Sequence, residues 1–101
     1  MTPEKKVKLK VKQILKELDC YYFMTSTGGY GSSGVPDIIA CYQGRFIGIE
    51  CKANGNKPTN LQLKNLQDIF NAQGQSLVID EKNIDMLKSY IKTNESNIKK
   101  N

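Results

Sequence analysis

The chain has 101 residues, 39% of them hydrophobic and 25% charged, with a formal charge of +5 and a pI near 9.1. That allows one domain with one modest core, about two-thirds of the unfolded surface being buried at this size. No apolar run approaches the ~20 residues of a membrane span, and the Lys-rich N-terminus lacks the apolar stretch of a signal peptide, so a cytoplasmic location is the expectation.

Two residue counts narrow the chemistry. The sequence has no histidine, which excludes Ser-His-Asp triads, Cys-His pairs, His-ligated zinc and His general bases. An enzyme built from it must use carboxylates, Lys, hydroxyls, backbone groups or a hard metal ion. Cys20, Cys41 and Cys51 are odd in number and form no C-x-x-C pair, so reduced core thiols are expected rather than disulfides or a thiolate zinc site.

In chain order, residues 4–18 read as a helix, with Val7, Val11, Ile14, Leu15 and Leu18 at helical spacing and Leu9 off the stripe. Thr2 can cap it and Pro3 suits its first turn. Six of the fifteen basic residues fall within Lys5–Lys16; a basic segment of this kind favours a polyanionic partner, nucleic acid first, and a solvated helix face accounts for the charge run equally well. Tyr21–Thr27 is β-prone, and its consecutive aromatics must be partly core, so they carry no stacking assignment. Gly28–Gly34 is a Gly-rich loop. It is not a Walker A loop, because Gly34 is followed by Val35, so no nucleotide cofactor is expected. Ser32, Ser33 and Tyr30 within it could donate to phosphates, and a passive connection suits the loop equally well.

Asp37–Tyr42 and Arg45–Lys52 read as strands joined at Gln43-Gly44. Ala53–Pro58 is a polar loop. Thr59–Gln73 is an amphipathic helix with Leu63, Leu66, Ile69 and Phe70 inward, ended by Gly74. Gln75–Asp80 is a short strand, and Asn83 to about Lys92 a last helix. The single domain spans residues 1–92, and the polar tail 93–101 is expected to fray. The order α-β-β-β-α-β-α implies an α/β fold, a mixed central sheet of a hairpin plus a crossover strand, flanked by helices.

The hairpin yields a geometric inference. With Gln43 and Gly44 as the turn, Tyr42 pairs with Arg45, Ala40 with Ile47, Ile38 with Ile49, and Asp37 with Glu50. Directly opposed residues bring their Cβ atoms to ~4.5–5.5 Å on one face. Two carboxylates then lie side by side, with Lys52 on the Glu50 face two residues on. The pattern suits a simple Asp–Lys–Glu ion-pair set at the strand ends. The pairing alone leans to that set, and it also admits a hard divalent cation, Mg²⁺ or Mn²⁺, on the acid pair, with Lys52 orienting water or stabilising charge on a phosphate.

Gly34-Val35-Pro36-Asp37 followed by Ile49-Glu50-Cys51-Lys52 resembles the G-x-P-D … E-x-K signature of the VRR-NUC nucleases, of the PD-(D/E)XK, restriction-endonuclease-like superfamily. The resemblance runs from about Pro3 to Asp80 and includes Tyr22-Phe23-Met24, Gly44-Arg45 and Lys57-Pro58-Thr59 followed by Gln62. It is strongest with small stand-alone phage and bacterial members, which makes the expected compartment the cytoplasm of a bacterial or phage-infected cell. It implies Asp37 and Glu50 as metal-binding acids, the Cys51 carbonyl as a further ligand, Lys52 as the catalytic lysine and Gln62 as a glutamine near the site. Thr59 with Gln62 is also a capping box. Glu4 matches an acid that reaches the metal centre, and is also a helix-start charge favoured by the dipole. Lys5, Lys8, Lys12 and Lys57, with Ser32 and Ser33, are the candidate nucleic-acid contacts. The resemblance further implies a homodimer that hydrolyses DNA, with branched structures such as four-way junctions or flaps as substrate. The alternative is a non-catalytic nucleic-acid-binding module that keeps the fold.

Overall fold

The computed structural model describes residues 1–25 and 34–99. Helix α1 (Pro3–Glu17) begins where expected. The Thr2 hydroxyl accepts from the Lys5 N–H at 3.2 Å, and Pro3 occupies the first turn, where its missing N–H costs nothing. The helix stops at a left-handed Asp19 (φ 57°), and the Cys20 N–H returns to the Leu15 carbonyl at 3.0 Å. Val7, Val11 and Leu15 are buried, Ile14 and Leu18 pack partly against the core, and Leu9 is exposed.

Strands β1 (Tyr21–Met24), β2 (Ile38–Tyr42) and β3 (Arg45–Cys51) form an antiparallel meander. β1 is shorter than the β-prone run: Thr25 has left the strand, and Ser26 and Thr27 fall outside the described residues. The β2–β3 register is the one inferred from the turn, with Tyr42 opposite Arg45 and Ile38 opposite Ile49. Gln43 (φ 50°) and Gly44 (φ 82°) are both left-handed, the conformation a two-residue hairpin needs to match strand twist.

Helix α2 (Asn60–Asn71) then carries the chain over the sheet to β4 (Gln75–Ile79), which pairs parallel with β3. A parallel neighbour requires such a crossover. The strand order is β1-β2-β3-β4. One sheet face, with Ile38, Ala40, Ile47, Ile49, Cys51, Leu77 and Ile79, packs with α1 and with α3 (Leu87–Thr93) through Leu87 and Ile91. The other face meets α2, where Leu66 is buried and its carbonyl accepts from the Ser76 hydroxyl at 2.6 Å. Leu63 does not turn inward as its spacing suggested. It is 39% exposed, and Leu66 is the fully buried residue of α2. Tyr22 packs against the core, whereas Tyr21 and Phe23 stay exposed.

The last predicted helix divides into a 3-10 turn (Ile84–Met86) and α3. The tail departs from the expected fraying. After a left-handed Asn94, the Ser96 hydroxyl accepts from the Ser76 N–H at 2.9 Å. Asn97 accepts from the Val78 N–H at 2.8 Å and donates to the Val78 carbonyl at 2.8 Å. Polar side chains thus satisfy the outer edge of β4, which pairs with no further strand among the described residues. Lys100 and Asn101 lie outside the described residues. Among the described residues no helix is long and apolar enough to cross a membrane.

Candidate active site

The hairpin's open end gathers the expected residues. Asp37 precedes β2 and Glu50 lies near the end of β3, so continuing the observed register sets them opposite each other. One Asp37 oxygen, Oδ2, accepts from the Cys51 N–H at 2.8 Å, which fixes that carboxylate to β3. Asp37 Oδ1 is 3.7 Å from the Lys8 Nζ. The same ammonium is 3.7 Å from the Glu4 carboxylate one turn back along α1. Lys52 Nζ stands 3.5 Å from Glu50 Oε2.

Glu50 is the anomalous group. It is 2% exposed, and its Oε1 is buried without a hydrogen-bond partner. Burial, reinforced by the neighbouring Asp37 carboxylate and opposed by Lys52, pushes its carboxyl up to about 8. A buried, half-satisfied carboxylate beside a second acid is costly. Such groups concentrate at functional sites. Burial, with Asp37 and Glu50 beside it, also raises the Cys51 thiol, which is therefore a neutral core group and not a thiolate ligand. Cys20, Cys41 and Cys51 are all free.

The donor set fits a hard cation. All available donors are oxygens, and the unpartnered Glu50 Oε1 is the sort of atom an ion would satisfy. Among the described residues no three Asp, Glu or Cys side chains converge closely enough to cage a metal alone. The fit is to an ion that keeps water and substrate oxygens, as Mg²⁺ commonly does with one or two carboxylates.

The remaining sequence candidates fall into three groups. Gln62 completes the capping box of α2, its Oε1 accepting from the Thr59 N–H at 2.8 Å while Thr59 accepts from the Gln62 N–H at 3.2 Å. Lys5, Lys8 and Lys12 line, with Met1, Leu9 and Met24, a shallow hollow of about 280 Å³ beside α1. Lys57 is exposed in the loop before α2, and Ser32 and Ser33 lie outside the described residues. Lys8, expected among the surface lysines, instead faces Asp37 across elements. The available signal was its position four residues after Glu4, the spacing of a helical ion pair.

No protein-family model matches the chain. A protein of Acyrthosiphon pisum secondary endosymbiont phage 1, described as "Putative nuclease p44", is 40% identical over 55 residues, 54% of this chain. The match spans 59% of that relative's length. A solved structure of a VRR_NUC domain superposes with a TM-score of 0.73 at 22% identity, covering 89% of this chain and 98% of the other. The α/β fold described above, with its mixed four-stranded sheet, is the fold of the VRR_NUC domains.

Proposed function

We propose that this chain is a divalent-metal-dependent endonuclease that hydrolyses phosphodiester bonds in DNA, with a preference for branched structures such as junctions or flaps. The observation that carries the reading is Glu50: a buried carboxylate with one oxygen unpartnered, set opposite Asp37 and beside Lys52. An ion seated between the two acids would satisfy that oxygen.

Asp37 and Glu50 would hold Mg²⁺ or Mn²⁺, with the Cys51 carbonyl and Glu4 as further donors. When bound, such a cation lowers the pKa of water and polarises a phosphoryl oxygen. The protein's own contribution is positional. The Cys51 N–H keeps Asp37 from turning away. Burial keeps Glu50 in one orientation and excludes competing water. The Lys52 ammonium, only 13% exposed, can orient a water for in-line attack or steady the charge that grows on the phosphate. Gln62, at the α2 start, could steady the same water if it left its capping partner. Lys5, Lys12 and Lys57 supply phosphate contacts that carry no sequence information. A homodimer would bring two such sites to two strands.

The test is cleavage of four-way junctions, flaps, linear duplex and single strands with Mg²⁺, Mn²⁺ or EDTA. Wild type is expected to cut only with a divalent ion and branched DNA fastest. Asp37→Asn, Glu50→Gln and Lys52→Ala are each expected to lower the rate by about 10²-fold or more, while circular dichroism stays native. Undiminished cleavage in excess EDTA, or by folded Glu50→Gln, refutes the reading. Light scattering of the purified chain tests the dimer.

A further inference from the structure

Lys8 belongs to two places at once. Its ammonium faces Glu4 and Asp37 at 3.7 Å each, inside the acid cluster. Lys8 also lines the hollow it shares with Lys5 and Lys12. The side chain is 24% exposed, against 13% for Lys52, so it is neither free in solvent nor locked in place.

The two contacts are loose. At 3.7 Å they are charge pairs beyond hydrogen-bond distance, so no directional bond must be broken to move the ammonium. Asp37 is different, because Oδ2 is tied to the Cys51 N–H at 2.8 Å. If a second cation arrives at Oδ1, the acid stays and the lysine leaves. A long lysine stem reaches water at little cost once its charge has lost its partner. Lys5 and Lys12 share the adjoining hollow with Lys8, so a freed ammonium has two lysines of α1 as neighbours.

We propose that Lys8 is an exchangeable counter-cation of the acid site: it neutralises Asp37 and Glu4 before a divalent ion binds, yields Asp37 to that ion, and then grips a nucleic-acid phosphate beside Lys5 and Lys12. This rests on the nuclease reading above and adds to it a coupling between the two ligands. Lys8 opposes the metal when DNA is absent and supports DNA when the metal is present. By linkage, each ligand then improves the other's affinity through one residue. Lys8 is in this sense a positioning residue for the metal and a phosphate contact for the substrate.

Two measurements test it, neither of which reads activity. The first is calorimetric titration of Mg²⁺ and Ca²⁺ into wild type, Lys8→Met, Lys8→Gln and Lys8→Arg. Removing the competing charge is expected to tighten the divalent ion on the order of tenfold, while Lys8→Arg stays near wild type. The second is the salt dependence of binding to a short fluorescent DNA duplex, in Ca²⁺ and in EDTA. Each phosphate neutralised contributes roughly 0.9 to the log–log slope. Wild type and Lys8→Gln should differ by about that amount in Ca²⁺ and not at all in EDTA, where the lysine is held by the acids. A lysine that merely supports the fold would shift both conditions alike. Equal metal affinity in wild type and both neutral variants overturns the proposal, as does a slope difference of the same size in EDTA. If wild type binds metal and cuts DNA under either of those outcomes, only the role of Lys8 falls. If wild type neither binds a divalent ion nor cuts, both readings fall together.

Discussion

At the scale of single residues, Glu50 sets the pH behaviour of the metal-free protein. Its carboxyl rises from an ordinary 4.5 to about 8 on folding. The folded chain therefore holds a proton there that the unfolded chain has already lost. The stability from this group is complete below 4.5 and declines as pH rises, until it is lost at about 8. Glu50→Gln has no proton to lose. Thermal melts of the two proteins in EDTA should therefore diverge across that window, with the melting temperature of the variant gaining several degrees on wild type at the alkaline end. Parallel curves would show that Glu50 is ionised and compensated in the folded state. A divalent ion should flatten the wild-type slope, since binding displaces that proton.

At the scale of elements, much of the site was readable because a hairpin carries its register in its turn. Once Gln43-Gly44 is placed, every opposed pair out to Asp37 and Glu50 follows from the period of two. The same logic fails where an element is held by tertiary contacts. The start of the last helix is a 3-10 turn because Asn83 and Asp80 bond each other's backbone, Asn83 Oδ1 accepting from the Asp80 N–H at 2.8 Å and Asp80 Oδ1 from the Asn83 N–H at 3.0 Å. No apolar spacing reports that. Nor could spacing show that Lys8, one lysine among six on α1, is the one turned toward an acid on another element. The glycine that opens the G-x-P-D segment was legible as a motif and is now explicable. Gly34 has φ 85°, and a Cβ there would sit 2.6 Å from Leu61 Cγ and 3.0 Å from the Leu61 backbone carbon. The chain leading to Asp37 therefore lies directly on α2. Gly34→Ala combines a left-handed strain with an overlap that backbone cannot relieve, and should cost about 2–4 kcal/mol. Urea denaturation measures it, and an unchanged midpoint would mean that this contact does not form.

At the scale of the whole molecule, the segment after α3 works as a clasp. Gln75 is fully buried, and its amide donates to the carbonyls of Tyr90 (2.6 Å) and Glu95 (2.9 Å) while its oxygen accepts from Arg45. Ser96 and Asn97 cover the edge of β4, and the Gln67 side chain donates to the Lys99 carbonyl. Hairpin, crossover helix and last helix are joined at one margin, on the strand beside the one that carries Glu50. A tail of polar residues gives no hydropathy pattern, which is why its order was invisible in the sequence. Asn97→Ala removes two bonds to Val78 and should cost about 1–3 kcal/mol, measured by urea denaturation. Truncation after Asn94 should go further and bare the strand edge, with self-association visible by light scattering. An Asn97→Ala protein as stable as wild type would show that the tail is dispensable.

The bond from the Cys51 N–H to Asp37 has a use apart from stability. It is a charge-assisted hydrogen bond, and its proton senses the electron density of the acid that accepts it. In a ¹⁵N-labelled sample that amide is a spectator placed inside the acid pair, taking no part in any reaction. Its chemical shift follows whatever happens to Asp37, the departure of Lys8 or the arrival of an ion. One cross-peak in a heteronuclear spectrum can thus follow the site's occupancy without substrate, turnover or an attached probe.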